Sequence, residues 1–309
     1  MKEDHSSLYQ KTPFVLALAL LCTALWGSAS PAIKISYEVF RIQPEDFFGK
    51  CTLAGIRFLI AGLLVLGYES IRSRKLILPP KKELLPLTAL GVVQTSLQYL
   101  LFYTGLAYTT GARGSLFSSL DGFFIVLITP LMFRGKKLTP LKIVGCLVGL
   151  GGLILTSAGT NLKQLAGFSL LGDGCVILSS LCFAMSFFYA KKLMTRMSAP
   201  LVTGGQMVLG ALLLLIVGLL GGGKMYWGTP GAGLGILSYL CLLSAIAYTL
   251  WSFLMQHNPI NRISILKLFT PIFGAVFSAM LLKENPFTLI NMLALALICS
   301  GIWMINKEA

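Results

Sequence analysis

Residues 97–130 read LQYLLFYTGLAYTTGARGSLFSSLDGFFIVLITP, and residues 246–279 read IAYTLWSFLMQHNPINRISILKLFTPIFGAVFSA. The two stretches align without a gap at an offset of 149 positions, which places Tyr99 on Tyr248. Identities are few, but the apolar segments and the loops between them have equal lengths in both copies. The pattern therefore predicts an internal duplication, with one copy in each half of the chain.

On both sides of these two stretches, further apolar segments follow one another along the chain. A helix needs about 20 mainly apolar residues to cross a bilayer. We predict ten such spans, at roughly residues 14–36, 51–69, 84–108, 112–133, 140–158, 170–190, 201–221, 232–256, 263–282 and 286–306. Because each copy has an odd number of crossings, the second copy is inverted relative to the first, as in many secondary transporters. The predicted fold is an all-α polytopic membrane protein, with ten transmembrane helices in two inverted five-helix repeats, residues 1–158 and 159–309.

The composition favours a membrane protein and argues against a nucleic-acid partner. The chain has 309 residues, of which 56% are hydrophobic and 12% charged, and its mean hydropathy is +0.81. Soluble domains carry about 25% charged residues, so this chain has too little polar surface to face water. Its net charge of +14 comes from cations in short loops rather than from one basic face or tail. We expect the lipid bilayer and a small-molecule substrate as partners, and no nucleic acid.

The distribution of Lys and Arg between the loops predicts the orientation. The loops after even-numbered spans contain twelve of these residues, and the loops after odd-numbered spans contain five. Because cationic loops stay in the cytoplasm, we predict a multi-pass protein of the cell (inner) membrane with both termini cytoplasmic. The run FVLALALLCTALW, residues 14–26, also resembles a secretory signal peptide, but its removal would leave the first repeat one helix short.

Four motifs resemble one known family of membrane proteins. They are ALWGSASPAIK in span one, RFLIAGLLVLG in span two, GARGSLFSSLDGF in span four and NRISILKLFTPIFGAVFSAMLLKENPFT in span nine. In this order and spacing they are similar to the EamA-type ten-helix permeases of the drug/metabolite transporter superfamily. The resemblance implies a permease or exporter that moves small organic metabolites such as amino acids by alternating access, with a coupling proton or by exchange.

The two copies differ most in spans four and nine. The second copy has the family's Pro271 and Glu284, whereas the first has Gly122 and Gly135 at the equivalent positions. The first copy also has Asp121, a carboxylate where the family usually has a small or apolar residue. We expect Glu284 to be structural and to accept hydrogen bonds from helix-end amides. We expect the substrate where the chemistry of the two halves differs.

Asp121 and Lys267 are ionisable residues inside the predicted spans. A charge near the midplane costs at least ~2.5–3.5 kcal/mol, so Asp121 should face a cavity or a partner. It either titrates with a coupling proton or binds a cationic part of the substrate; the alternative is an ion pair that only fixes packing. Lys267, the counterpart of Ser118, pairs with Asp121, holds a zwitterion together with it, or extends to the cytoplasmic interface.

Polar and aromatic side chains complete the predicted substrate site. They are Trp26, Arg57, Gln94, Gln98, Tyr99, Tyr103, Tyr248 and Trp251. Aromatic side chains with one polar group suit a mainly organic solute; the alternative is an interfacial aromatic belt or ordinary packing. Arg57 binds an anionic group or a helix carbonyl in one interpretation, and extends to the interface in the other. Gly122, Pro130 and Pro271 are the predicted hinges, because transporters interrupt helices with such residues at their sites.

The sequence lacks the motifs of several other functional classes. It contains no GxxxxGK[ST] nucleotide-binding loop, no HExxH and no GxSxG. Its seven cysteines include no CxxC pair, and it has two histidines. We therefore expect no catalytic site, no cofactor and no metal. An intramembrane enzyme or a non-transporting membrane scaffold is the alternative to a transporter.

Overall fold

The computed structural model of the chain describes residues 11–132, 139–158, 168–228, 230–258, 263, 265–284 and 288–307. These residues are mostly helical, and no strand occurs among them. The helices are α1 (Thr12–Phe40), α2 (Phe47–Ser73), α3 (Lys81–Gly91), α4 (Gln98–Ala107), α5 (Gly111–Ser118), α6 (Leu120–Met132), α7 (Pro140–Ala158), α8 (Cys175–Leu193), α9 (Ala199–Leu220), α10 (Pro230–His257), α11 (Phe269–Leu282) and α12 (Leu289–Lys307). The π-helical turn Val92–Leu97 joins α3 to α4, another at Leu170–Gly174 precedes α8, and the 3₁₀-helical turn Ile265–Leu268 precedes α11.

Seven helical stretches in the described part of the chain are long and apolar enough to cross a membrane. They are Thr12–Phe40, Phe47–Ser73, Lys81–Ala107, Gly111–Thr129, Leu170–Leu193, Ala199–Leu220 and Pro230–His257. The shorter apolar helices are Pro140–Gly152, Phe269–Leu282 and Leu289–Gly301. The protein is thus an all-α, multi-pass membrane protein, as the sequence predicts, while the count of ten crossings stays a prediction.

The helices pack mainly across the two halves of the chain. α2 packs along α9, and α7 packs along α12. α1 contacts α10 and α11, whereas α8 contacts α4, α5 and α6. The largest buried apolar cluster includes side chains from α1, α2, α4, α8 and α10. Elements from both halves therefore surround the centre of the molecule.

α1 and α11 meet at Gly27, where the two backbones leave no room for a side chain. A Cβ atom on Gly27 would lie 2.7 Å from Phe273 Cβ and 2.8 Å from Gly274 N. Gly27→Val forces the helices apart, and we expect it to lower the free energy of unfolding by about 1–3 kcal/mol. Thermal unfolding in detergent measures the effect. Gly67→Ala is the control, because no atom lies within 4 Å of a Cβ there, and equal melting temperatures for the two variants would contradict this account.

The helix is interrupted near two of the three predicted hinges and continuous through the third. The helix is interrupted between α5 and α6 at Ser119, three residues before Gly122. The 3₁₀-helical turn Ile265–Leu268 gives way to α11 two residues before Pro271. α6 continues through Pro130 to its end, so no interruption accompanies that residue. Helix discontinuities thus lie beside two of the three hinge residues.

Candidate functional site

Asp121 and Lys267 form an ion pair between the two halves of the chain. Asp121 lies in the first turn of α6, directly after the interruption at Ser119, and Lys267 lies in the 3₁₀-helical turn before α11. The Lys267 ammonium donates a hydrogen bond to Asp121 Oδ2. Both side chains are about nine-tenths buried. The interpretation in which Lys267 extends to the cytoplasmic interface is therefore wrong, because its ammonium is buried against a carboxylate.

Three aromatic rings lie within cation–π distance of the Lys267 ammonium. Its nitrogen is 3.7 Å from the ring centre of Phe183, 5.1 Å from that of Trp26 and 5.7 Å from that of Trp251. The face of an aromatic ring attracts a cation that lies within about 6 Å of its centre. Asp121 and these three rings therefore enclose a cation together. We call Trp26, Phe183, Trp251 and Asp121 the ammonium cage.

A cavity adjoins the ammonium cage, with an empty volume of about 630 Å³ that includes its open mouth. Its aromatic wall consists of Trp26, Tyr99, Phe102, Phe183 and Tyr248. Its polar groups, besides Asp121 and Lys267, are those of Gln98, Ser118, Ser119, Ser179, Ser180 and Thr270. Apolar walls with a small number of convergent polar groups are typical of a small-molecule site.

Tyr99 and Tyr248, which the sequence alignment pairs, touch each other in the cavity wall. Their hydroxyl oxygens lie 2.6 Å apart and share a hydrogen bond. The ring of Trp26 packs edge-on against Tyr248, at 5.7 Å between ring centres, and against Trp251, at 5.0 Å. Tyr99, Tyr248 and Trp251 are all buried. These side chains therefore do not form an interfacial aromatic belt.

Arg57 and Tyr103 lie behind the cavity wall rather than in it. Arg57 is 1% exposed, and its guanidinium donates to Tyr103 Oη at 3.0 Å. It also donates to Ser244 Oγ at 2.8 Å and to the Leu240 carbonyl at 3.2 Å. The guanidinium carbon lies 5.6 Å from the ring centre of Tyr99. Arg57 thus binds a helix carbonyl, as one interpretation expects, and does not extend to the interface.

Gln94 and Trp251 line a second, smaller cavity, with an empty volume of about 340 Å³ that includes its open mouth. Phe183 and Tyr248 line both cavities, so these two side chains stand between them. The structure therefore divides the ten predicted site residues into three groups. The first cavity is lined by Trp26, Gln98, Tyr99, Asp121, Tyr248 and Lys267. The second is lined by Gln94, Tyr248 and Trp251. Arg57 and Tyr103 line neither cavity.

Sequence reasoning missed Phe183 and the serine pairs Ser118–Ser119 and Ser179–Ser180. The offset of 149 places Ser118 on Lys267, and a shifted alignment of span one with span six, at an offset of 157, places Trp26 on Phe183, so the duplication contained a signal for both. The other serines give no signal of their own, because serine in an apolar helix often bonds only to its own backbone.

Glu284 caps a helix on the side predicted to be external. Its carboxylate accepts hydrogen bonds from the backbone N–H groups of Gly111, at 2.9 Å, and Ala112, at 3.0 Å, at the start of α5. The positive end of a helix dipole favours such an anion. These contacts confirm the structural role that we expect for Glu284. Its first-copy counterpart, Gly135, lies outside the described residues.

Loss of this cap should destabilise the protein. We expect Glu284→Ala to lower the free energy of unfolding by about 1–2 kcal/mol, because two N–H groups at the start of α5 lose a charged acceptor. Thermal unfolding in detergent measures the change. Glu45→Ala is the matched control, because Glu45 is exposed in a loop on the same predicted side. Indistinguishable melting temperatures for the two variants would show that the cap contributes nothing.

Comparison with known proteins finds similarity along nearly the whole chain. The model of the EamA-like transporter family matches residues 13–158 and 170–307. An uncharacterized transporter of Archaeoglobus fulgidus is 25% identical over 298 residues, which cover 95% of this chain and 98% of that protein. The uncharacterized inner membrane transporter YedA of Escherichia coli K12 is 27% identical over 241 residues, which cover 75% of this chain and 71% of that protein. One crystal structure, 17% identical in sequence, has the same fold with a TM-score of 0.69 over 94% of each chain.

Proposed function

This chain belongs to the EamA-like transporter family, and we propose that it moves a small organic metabolite, such as an amino acid, across the cell membrane by alternating access. Family membership supports a membrane transporter rather than an intramembrane enzyme. The observation that carries the proposal is the Asp121–Lys267 ion pair, buried beside an aromatic-walled cavity between the two halves. Ionisable groups inside a membrane mark the paths of substrates, ions and protons.

Equivalent contacts in the two halves support an inverted repeat. Lys34 Nζ donates to the Thr109 carbonyl at 2.7 Å, and Lys191 Nζ donates to the Asn258 carbonyl at 3.4 Å. Span one aligns with span six only after a shift to an offset of 157 positions, which places Lys34 on Lys191, whereas Thr109 lies 149 positions before Asn258. Each lysine therefore binds the end of an equivalent helix within its own half. The predicted topology puts these two contacts on opposite sides of the membrane.

Contacts and helix boundaries at the centre of the molecule support the same twofold symmetry. Tyr99 and Tyr248 are equivalent and touch each other, as side chains beside a twofold axis do. α6 begins at Leu120 and α11 begins at Phe269, which is again an offset of 149 positions. We propose that one repeat rocks against the other about this axis, and that the helix interruptions before α6 and α11 act as the hinges.

The two sides of the cavity differ in how tightly they are packed. On the predicted external side, Tyr37 Oη donates to the Tyr103 carbonyl at 2.6 Å, and Arg57 binds the Tyr103 hydroxyl. The counterparts of Arg57 and Tyr103 at an offset of 149 are the smaller Gln206 and Ser252, which line the second cavity. We propose that this conformation is closed to the outside, and that the substrate path continues through the second cavity toward the cytoplasm.

Flux measurements in proteoliposomes test the proposal. Uptake of labelled metabolites, with amino acids first in the panel, is measured with and without a pH gradient and with unlabelled metabolite inside for exchange. We expect flux that depends on the gradient or on exchange for at least one metabolite, and none in protein-free vesicles. Absence of such flux across a broad panel would contradict a transport function.

A further inference from the structure

Two buried acceptor atoms in the first cavity lack hydrogen-bond partners. Asp121 Oδ1 and Gln98 Oε1 have none among the residues that the structure describes. Both side chains line the first cavity. A buried acceptor without a partner costs free energy, so a ligand that supplies a donor gains from binding there. Thr270 Oγ1, which is also without a described partner and lines the same cavity, can either donate or accept.

The serine hydroxyls of the cavity add further acceptors. Four serines line the cavity, and they are Ser118, Ser119, Ser179 and Ser180. The hydroxyl of each donates its hydrogen to a backbone carbonyl, at distances between 2.6 and 3.1 Å. A hydroxyl has one hydrogen and two lone pairs, so what remains on these side chains is acceptor capacity. A ligand that satisfies the cavity must therefore bring hydrogen-bond donors.

The ammonium cage indicates which donor group fits. It already contains an ammonium, that of Lys267, against one carboxylate and three ring faces. Carboxylates and aromatic faces together attract ammonium groups rather than anions. Asp121 has one negative charge and neutralises one ammonium at a time.

We propose that the substrate is an organic ammonium compound whose ammonium group replaces that of Lys267 in the ammonium cage. Lys267 is an internal competitor that fills the cage when no substrate is bound and leaves Asp121 when substrate arrives. A carboxylate on the ligand is not required for recognition. This inference rests on the proposed function, because it names the substrate class of the same site.

Competition from Lys267 has a measurable consequence. A ligand binds only the fraction of molecules in which the cage is vacant, so its apparent affinity falls by that fraction. Removing the lysine ammonium should raise the affinity for a free ammonium compound. Lys267→Ala removes the ammonium and also opens the space that the side chain fills.

Three probes of matched shape test the ligand class on the full-length protein in detergent. Isoamylamine has an ammonium, 4-methylpentanoate has a carboxylate, and leucine has both, all on the same branched body. Titration calorimetry and thermal unfolding measure binding to the wild type. We expect isoamylamine and leucine to bind and 4-methylpentanoate not to bind. Binding of the carboxylate without the amine would show that Lys267 recognises an anion, which would overturn the proposal.

Variants separate competition from a merely structural role of Lys267. We expect Lys267→Ala to bind isoamylamine at least about tenfold more tightly than the wild type, and Asp121→Asn to lose that binding. Lys192→Ala is the matched control, because Lys192 is exposed at the end of α8, and it should bind as the wild type does. Weaker binding by Lys267→Ala, or no binding of isoamylamine to either protein, would overturn the proposal. The ranking of probes on the wild type needs no variant, so the test stands even where Lys267→Ala does not fold.

Flux measurements distinguish a failure of the transport proposal from a failure of the ammonium cage as the substrate site. If isoamylamine binds as described but no solute crosses the proteoliposome membrane, the transport proposal fails and the ammonium cage stands. If flux is found only for solutes that lack an ammonium group, transport stands and the ammonium cage fails as the substrate site.

Discussion

Asp121→Asn is expected to lower transport at least about 100-fold, which corresponds to ~2.7 kcal/mol of lost stabilisation. Asparagine keeps the size of the side chain but removes the negative charge that faces the cavity. Neither a coupling proton nor a cationic part of the substrate then has a carboxylate to bind. Flux into proteoliposomes, normalised to folded protein by size-exclusion chromatography, measures the loss.

Asp46→Asn is the matched control for this substitution. Asp46 caps α2 by accepting a hydrogen bond from Gly49 N at 2.7 Å, and asparagine caps helices about as well as aspartate. We therefore expect wild-type flux from this variant. Wild-type flux from Asp121→Asn as well would remove Asp121 from the mechanism.

The second large effect is on stability. Lys267→Met should lower the free energy of unfolding by about 3–5 kcal/mol, because it leaves the buried Asp121 carboxylate without its partner. Asp121→Asn should also destabilise the protein, because the Lys267 ammonium then has no counter-charge. The double variant Asp121→Asn/Lys267→Met removes both charges, so we expect it to recover most of the lost stability.

Unfolding of the four proteins in the same detergent measures this coupling. Contacting residues are expected to be non-additive in such a cycle. If the two single effects simply add in the double variant, the two side chains do not interact and the ion pair has no role in the fold. The double variant should be stable yet unable to transport, which separates the structural contribution of the pair from its function.

The long helices follow from the sequence, but the interruptions within them do not. Runs of about 20 apolar residues have few alternatives to a membrane helix, and seven of the predicted spans correspond to described helical stretches long enough to cross a membrane. The discontinuities at Ser119 and at Ile265–Leu268 depend on tertiary contacts. Gly122 and Pro271 therefore predict the region of each interruption but not the residue at which it occurs. Pro130 shows the limit of that signal, because α6 continues through it.

The candidate site was predictable to the extent that its residues are polar. Asp121 and Lys267 stand out as intramembrane charges on equivalent spans, so pairing is one of the predicted options. The choice between pairing and reaching the interface depends on the depth of Lys267, which an uncertain helix boundary does not fix. Phe183 is an apolar residue marked only by its alignment with Trp26, and its contact with Lys267 follows from the packing of α8 against α4 and α6.

We propose that substrate binds at Asp121 in the first cavity and crosses the membrane there. Flux of a metabolite panel into proteoliposomes, compared between the wild type and Asp121→Asn/Lys267→Met, tests it most directly because both charges are removed without leaving either one unpaired. We predict uptake of at least one ammonium-bearing metabolite by the wild type and none by the folded double variant. Equal uptake by both proteins would contradict the account.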